Sequence, residues 1–447
     1  MQDFKGKRLY IENLGCAKNQ VDAEVMLNNL VEAGFVSVEE ASLADLILVN
    51  TCGFIDIAKE ESINTFFELK NSYPKAKVVL TGCLAQRYAS SLKDELTEAD
   101  GIFGNRDLSK ITLFINRLYR GERAVELPPY PLIEDETTTR SKLFNYPGSA
   151  YLKISEGCNH FCRYCAIPLI RGNLRSRPLK AIVAEAKELI KSGVKELNLI
   201  AQDLASYATD TKESNFLELL TALVALEGDF KIRMLYIHPD YFPLKLIDFV
   251  KQNEKVVPYF DIPFQHAHKD VLKAMGRKGD RQTYLNLINK IRAVIPEATI
   301  RSTIMLGFIN ETEKTIDELK LFLKEAELDW VGSFIYSREE ETAAYLDRSE
   351  LEHLEVIKKA KSWQKEIEAL QQEITQKRLS RFVGTVEDVL IEELVENEDL
   401  AIGRIKHQAP EVDGLTVVVG ENLVAGTIVK CGIRRVNGID LEAIPIT

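Results

Sequence analysis

No stretch of the 447-residue chain approaches the roughly 20 consecutive apolar residues needed to span a bilayer, so no membrane anchor is expected. The opening residues Met1-Gln2-Asp3-Phe4-Lys5-Gly6-Lys7 are polar with no apolar region behind them, so no secretory leader is expected either. Cysteine is scarce. Seven residues, widely dispersed, are too few for a disulfide scaffold and fit free thiols in a reducing cytoplasm. Surplus positive charge is also missing: 57 Lys and Arg face 68 Asp and Glu, a formal net charge of −11. That balance disfavours a polyanionic nucleic acid as the main partner and favours a basic one. There is no internal repeat and no low-complexity segment. What remains is ordinary globular composition, 45% apolar and 28% charged, in a chain long enough for two or three domains.

Three of the few cysteines lie together, in Cys158-Asn159-His160-Phe161-Cys162-Arg163-Tyr164-Cys165. Thiolates at this spacing can wrap one inorganic centre, but they are three where a closed structural zinc site takes four ligands. A zinc knuckle completed by His160 would be cramped, because His160 is two residues from each flanking cysteine. A 4Fe–4S cluster held by three thiolates instead keeps one iron open to a second molecule.

The other cysteines follow a second pattern. Strands are expected at Arg8–Leu14, Leu46–Asn50 and Lys77–Thr81, with helices over about Asp22–Ala33, Ile55–Lys70 and after Cys83. Such alternation implies a parallel sheet. Cys16, Cys52 and Cys83 each follow the C-terminal end of one of these strands, beside a glycine. Those ends share one edge of an open parallel sheet, where ligands collect, so the three should meet as a second metal centre. The plainer alternative is three small buried hydrophobic residues.

Proline-rich chain follows, with Pro128, Pro129, Pro131, Pro147 and Thr137-Thr138-Thr139, and reads as a connector. From Tyr151 the alternation resumes through strands at Tyr151–Ile154, Glu196–Ile200, Ile232–Tyr236, Tyr259–Ile262, Thr299–Met305 and Trp330–Phe334. Repeated βα units suggest a full or partial barrel with its site at the C-terminal strand ends. The cysteine loop lies there, and Gln202, Asp203, His238, Asp261, Gln265 and His266 are expected to share that rim. A long charged helix should run over Glu350–Ser380. Strands at Thr385–Ile391, Leu415–Val419, Thr427–Cys431 and Ile439–Ala443 then suggest a small OB-like β-barrel, with Cys431 a packing residue. The expected architecture is α/β, divided into 1–125, a linker at 126–146, a (β/α) barrel at 147–377 and the small β-barrel at 378–447.

Together these features resemble the methylthiotransferases, a family of radical S-adenosylmethionine (SAM) enzymes with a C-terminal TRAM domain. The residues that carry the resemblance are Leu14-Gly15-Cys16-Ala17-Lys18-Asn19, Asn50-Thr51-Cys52-Gly53-Phe54-Ile55, Thr81-Gly82-Cys83-Leu84, and Ser155-Glu156-Gly157-Cys158 through Arg171-Gly172 to Ser176-Arg177. It implies two 4Fe–4S clusters. Cys158, Cys162 and Cys165 would hold the one that binds and cleaves SAM, with Tyr164 beside the adenine. Cys16, Cys52 and Cys83 would hold an auxiliary cluster that handles sulfur. It also implies SAM as methyl donor and radical source, an electron donor such as flavodoxin or ferredoxin, and a sulfur source. An iron–sulfur electron carrier is the non-catalytic alternative, but it would need neither the barrel nor the polar rim.

Two branches of the family differ in substrate: an aspartate of the twelfth small-subunit ribosomal protein, or an adenosine derivative in tRNA. Phe260-Asp261-Ile262-Pro263-Phe264-Gln265-His266, Leu199–Asp203 and Val21–Glu24 resemble the ribosomal-protein branch. Charge agrees, because residues 381–447 carry 6 Lys and Arg against 12 Asp and Glu, a surface that repels RNA and attracts a basic protein. The acidic run Glu392, Glu393, Glu396, Glu398 and Asp399 is the expected docking face. Two stretches depart from the family pattern. Gly307-Phe308-Ile309-Asn310-Glu311-Thr312 stands where relatives read Gly-Phe-Pro-Gly-Glu-Thr, and Ala208 stands where a glycine usually follows Tyr207.

Overall fold

The computed structural model describes residues 4–130, 140 and 142–446. Met1–Asp3 of the polar start, and Pro131 and Thr137–Thr139 of the expected connector, lie outside the described residues. The first unit runs β1 (Arg8–Asn13), α1 (Ala17–Glu32), β2 (Val36–Ser37), β3 (Leu46–Thr51), α2 (Asp56–Ser72), β4 (Lys77–Thr81), α3 (Gly82–Glu95), β5 (Gly101–Phe103), α4 (Ile111–Tyr119) and β6 (Ala124–Glu126). Its strands form one parallel sheet in the order β2-β1-β3-β4-β5-β6. β3 is buried throughout, as a strand covered on both faces must be. Met26, Leu27 and Leu30 of α1 and Phe114 of α4 pack one face, and Phe66 of α2 and Leu84 of α3 pack the other. The expected strands lie in place. β2, β5 and β6 were not expected; each has two or three residues, too short to show a period in the sequence.

A second six-stranded parallel sheet follows: β7 (Ser149–Lys153), β10 (Glu196–Ile200), β11 (Lys231–Met234), β12 (Val256–Asp261), β13 (Thr299–Leu306) and β14 (Trp330–Ile335), in the order β14-β13-β12-β11-β10-β7. β7 and β14 stand at opposite edges, so the barrel is partial. A short ladder, β8 (Ser155–Glu156) with β9 (Arg175–Ser176), brackets the cysteine loop and the one-turn helix α5 (Ile167–Arg171). Helices α6 (Leu179–Lys191), α7 (Phe216–Val224), α8 (Lys245–Gln252), α9 (Lys269–Ala274), α10 (Arg281–Val294) and α11 (Glu313–Ala326) supply the apolar residues that cover the outer face.

The inner face has a different cover. After the 30-residue helix α12 (Glu350–Leu379), strands β15 (Val386–Leu394), β16 (Leu400–Ile405), β17 (Thr416–Val419), β18 (Ile428–Asn437) and β19 (Asp440–Pro445) close into a barrel ordered β15-β16-β17-β19-β18. β16 lies in a stretch for which no strand was expected, where charged and glycine residues blur the alternation. Val389, Ile391, Ala401, Ile405 and the buried Cys431 of this barrel share one core with Tyr151, Ile200, Leu235, Val257, Tyr259 and Trp330 on the inner face of the open sheet. An ionic chain crosses the same seam: Arg233 donates to Glu196 at 2.7 Å, and Arg404 reaches Glu196 at 3.0 Å and Glu392 at 2.8 Å. Glu392 is therefore buried in the seam and is not part of the expected acidic docking face. Glu393, Glu396, Glu398 and Asp399 are exposed.

The two departures from the family pattern keep a left-handed backbone. Asn310 has φ 68° and Ala208 φ 60°. Asparagine tolerates that region; alanine adopts it only under constraint, and here Ser176 and Lys212 tie the Ala208 backbone by hydrogen bonds.

Candidate active site between two sets of cysteines

β1, β3 and β4 are neighbours in the first sheet, so the loops leaving them emerge side by side. Cys16 caps α1, Cys52 follows β3, and Cys83 lies in the first turn of α3. The adjoining glycines permit the closeness. A Cβ on Gly53 would stand 2.7 Å from the Leu84 nitrogen, and one on Gly82, at φ 90°, would stand 2.6–2.7 Å from the Thr51 backbone. The thiols sense one another: Cys52 feels Cys16, and Cys83 feels both.

Their environments differ. Burial pushes Cys83 up to about 12 and raises Cys52. At Cys16 the crowding of the crevice walls also opposes ionisation, but Lys18, Arg171 and the backbone N–H groups of Asn19 and Lys18 outweigh it and lower the thiol. Cys83 Sγ lies 3.4 Å from both Asn105 Nδ2 and Arg171 Nη2.

The second set sits at the C-terminal end of β7. Gly157, at φ 77°, lets the loop pass so close that a Cβ there would stand 2.1 Å from the Asn173 carbonyl. Cys158 N donates to Gly172 O at 3.1 Å, and His160 N lies 3.5 Å from Cys158 Sγ. Burial raises Cys158 to about 11 and Cys165 to about 12. The two sets adjoin, since Cys83 packs with Ala166 and Ile170, directly after Cys165.

Buried charges bind the two walls together. Arg171, on the barrel side, pairs with Asp22 of α1 at 3.0 Å and with Glu156 at 2.8 Å, and also donates to Asn19. Lys153 pairs with the same two carboxylates at 2.5 and 2.8 Å. Elsewhere along the joint Arg140 bridges Glu24 of α1 and Glu185 of α6, and Glu339 takes both Lys59 and Arg87 of the first unit.

The expected rim is only partly assembled. Gln202 donates to Glu156 at 3.0 Å. Asp203 Oδ2 lies 2.6 Å from His160 Nε2, which also meets Ser206 at 3.0 Å. His238 Nδ1 accepts from Asp240 N, leaving Nε2 as the protonated nitrogen, 4.0 Å from Cys162 Sγ. Burial lowers His238 to about 3. Asp261 faces inward and pairs with Arg301 at 3.1 Å. His266 is not on the rim. It is fully buried, and its Nδ1 accepts from the N–H groups of Ala267 and His268 at 2.9 Å. Gln265 is buried with Oε1 unpartnered. Tyr164 is in the barrel core against Phe308, and its hydroxyl accepts from Arg277 at 3.1 Å.

The sequence reading assigned no role to Lys18, Asn19, Asp22, Glu156 or Arg171, although all five stand inside the quoted motifs. Their signal was polarity at positions that a packed interface would otherwise fill with apolar residues, four on helices and Glu156 on β8.

This donor set fits two 4Fe–4S clusters. Among the described residues no three His, Cys, Asp or Glu side chains converge as a single ion requires. Thiolates on three separate irons need a wider triangle, and the backbone N–H groups aimed at Cys16 and Cys158 suit anionic sulfur. Gln265 Oε1, Gln202 Oε1 and Asn105 Oδ1 are buried acceptors without partners.

Residues 8–104 match the uncharacterized protein family UPF0004, residues 152–323 the radical SAM superfamily and residues 383–446 the TRAM domain. A ribosomal protein uS12 methylthiotransferase RimO of Treponema denticola is 43% identical over 97% of this chain and 99% of its own. Its namesake from Syntrophomonas wolfei is 44% identical over 96% and 98%. Among solved structures, the radical SAM methyltransferase TsrM of Kitasatospora setae, with cobalamin and a 4Fe–4S cluster bound, superposes with a TM-score of 0.58 at 13% identity. It covers 77% of this chain and 78% of that one. That likeness concerns the fold.

Proposed function

This chain belongs to the RimO family of ribosomal protein uS12 methylthiotransferases, and on that footing we propose that it replaces a C–H bond of an aspartate side chain in uS12 with C–SCH3. The observation that supports this reading is the meeting of two cysteine sets across one crevice, joined through Arg171 to Cys83 on one side and to Glu156, two residues before Cys158, on the other. The reaction needs an unactivated carbon brought to a radical source and a sulfur source at once, which is a problem of positioning. Cys158, Cys162 and Cys165 would hold one cluster and Cys16, Cys52 and Cys83 the other, and with SAM these supply the radical and the methylthio group.

The chain's own residues do the rest. Arg171, Asp22, Lys153 and Glu156 form a nearly dry ion network that fixes one wall against the other. Tyr236, at φ 70° beyond β11, anchors its N–H on Asp261 at 3.1 Å and turns its ring towards α1. Asp203 accepts from His238 N at 3.0 Å and holds that histidine beside Cys162. A low-potential electron donor and a sulfur source complete the system, which works in the cytoplasm; among the described residues no helix is long and apolar enough to cross a membrane.

Mass spectrometry of uS12 and of tRNA from cells lacking this protein tests the proposal. Loss of a methylthio group from one uS12 aspartate, restored by the gene, is the expected result. Unchanged uS12 with loss of a tRNA methylthio group would replace it with the tRNA reading.

A further inference from the structure

Lys18 lies two residues after Cys16, in the first turn of α1, and is half-buried. Its Nζ stands 3.7 Å from the centroid of the Tyr236 ring. The cations on the same side of the crevice are paired: Lys153 and Arg171 by Asp22 and Glu156, Arg301 by Asp261 and Asp413. Arg277, beside the Cys158–Cys165 loop, is spent instead on the Pro263 carbonyl and the Tyr164 hydroxyl. Among the described residues no carboxylate pairs with Lys18. The aromatic face attracts an ammonium, but a ring quadrupole does not replace a counter-ion. Cys16, Glu156 and Asp261 act on Lys18 without an ion-pair contact, so a cation drawn partly out of water keeps room for an anion brought from outside.

The location says which part of the reaction that anion serves. Tyr236 and His238 are separated by one residue. The first carries Lys18 on its ring, and the second lies 4.0 Å from Cys162 Sγ. Lys18 therefore stands where the wall bearing Cys16 meets the wall bearing Cys162. From this geometry, and resting on the function proposed above, we infer that Lys18 is the residue that binds the side-chain carboxylate of the substrate aspartate. Anchoring that carboxylate fixes the β-carbon, one bond away, between the two cysteine sets. It also gives a reason for a carboxylate-bearing substrate: Asp22, Glu156 and Asp261 would repel it were they not already paired, and Lys18 is a cation on the Cys16 wall that no carboxylate occupies.

The test is a double-substitution cycle read by equilibrium binding. Anaerobically reconstituted wild type, Lys18→Met and Lys18→Arg would be titrated with purified uS12 carrying either its native target aspartate or asparagine there. Iron content and circular dichroism would report whether each variant is folded and loaded. Close charge pairs at interfaces couple strongly, so Lys18→Met should weaken binding of native uS12 at least about tenfold, which is about 1.4 kcal/mol. The asparagine substrate should lose a similar factor on wild type and almost nothing further on Lys18→Met. Lys18→Arg should retain most of the affinity. Additive losses, or unchanged binding by Lys18→Met, would overturn the inference. If Lys18→Met does not fold, equal affinity of wild type for aspartate and asparagine substrates overturns it, and a tenfold preference for aspartate that Lys18→Arg preserves upholds it. Failure of the functional reading looks different, because wild type would then bind neither form of uS12.

Discussion

Replacing Arg404 with methionine (R404M) should loosen the C-terminal barrel from the inner face of the open sheet. Arg404 is 4% exposed and joins Glu196, 9% exposed, to Glu392, 6% exposed. Burial alone would raise the Glu196 carboxyl, yet Arg233 and then Arg404 hold it at about 2. Set against an unperturbed value near 4.3, that is about 3 kcal/mol of stability at neutral pH. Methionine keeps the stem and the packing, removes part of that sum and strands Glu392, so a cost of about 2–3 kcal/mol is expected. A carboxylate lowered in the fold stabilises fully above its unfolded pKa and loses the effect as pH falls towards the folded one. The gap between wild type and R404M should therefore be full at pH 7 and shrink between about pH 4 and 2. Hydrogen exchange across β15–β19 measures this locally, which suits a chain of several units better than a single melting point. A gap below about 1 kcal/mol at pH 7, or one unchanged at pH 3, would refute the reasoning.

Alanine at Cys158, Cys162 and Cys165 together should leave roughly half of about eight irons in anaerobically reconstituted protein, by iron analysis and absorption; full iron content would remove these residues from the ligand set. Glu339→Gln should strip Arg87 of the carboxylate it pairs with, now 2% exposed, and leave Lys59 with Asp56 alone, at about 3 kcal/mol. Faster exchange in α2 and α3 and quicker alkylation of Cys52 would show the joint opening, and wild-type rates of both would show that the pairs do not hold it. Neutralising Glu393, Glu396, Glu398 and Asp399 should slow association with uS12 at low salt and abolish most of its salt dependence. Unchanged stopped-flow rates would leave those charges as a solvated face.

The chain order of strands and helices, the two sets of cysteines and their glycines were legible in the sequence, because each depends on neighbours within a few residues. A strand ending in Gly-Cys carries its own geometry: the period of two sets the strand, and the glycine supplies the close approach. The long apolar strands were found and the strands of two or three residues were not, since a period needs length to show. Distant pairing had no such signal. Nothing local distinguished Glu392, buried on Arg404, from its exposed neighbours Glu393 and Glu396, and nothing marked His266 as a loop cap among the polar residues of the rim. Lys18 and Arg171 are both basic residues within the cysteine-bearing motifs, yet Arg171 is paired with two carboxylates and Lys18 stands over an aromatic ring with none in contact. That difference arises from which carboxylates the fold carries to each cation, Glu156 from nearby in the chain and Asp22 from the other unit, and only the packing of the units around one crevice decides it.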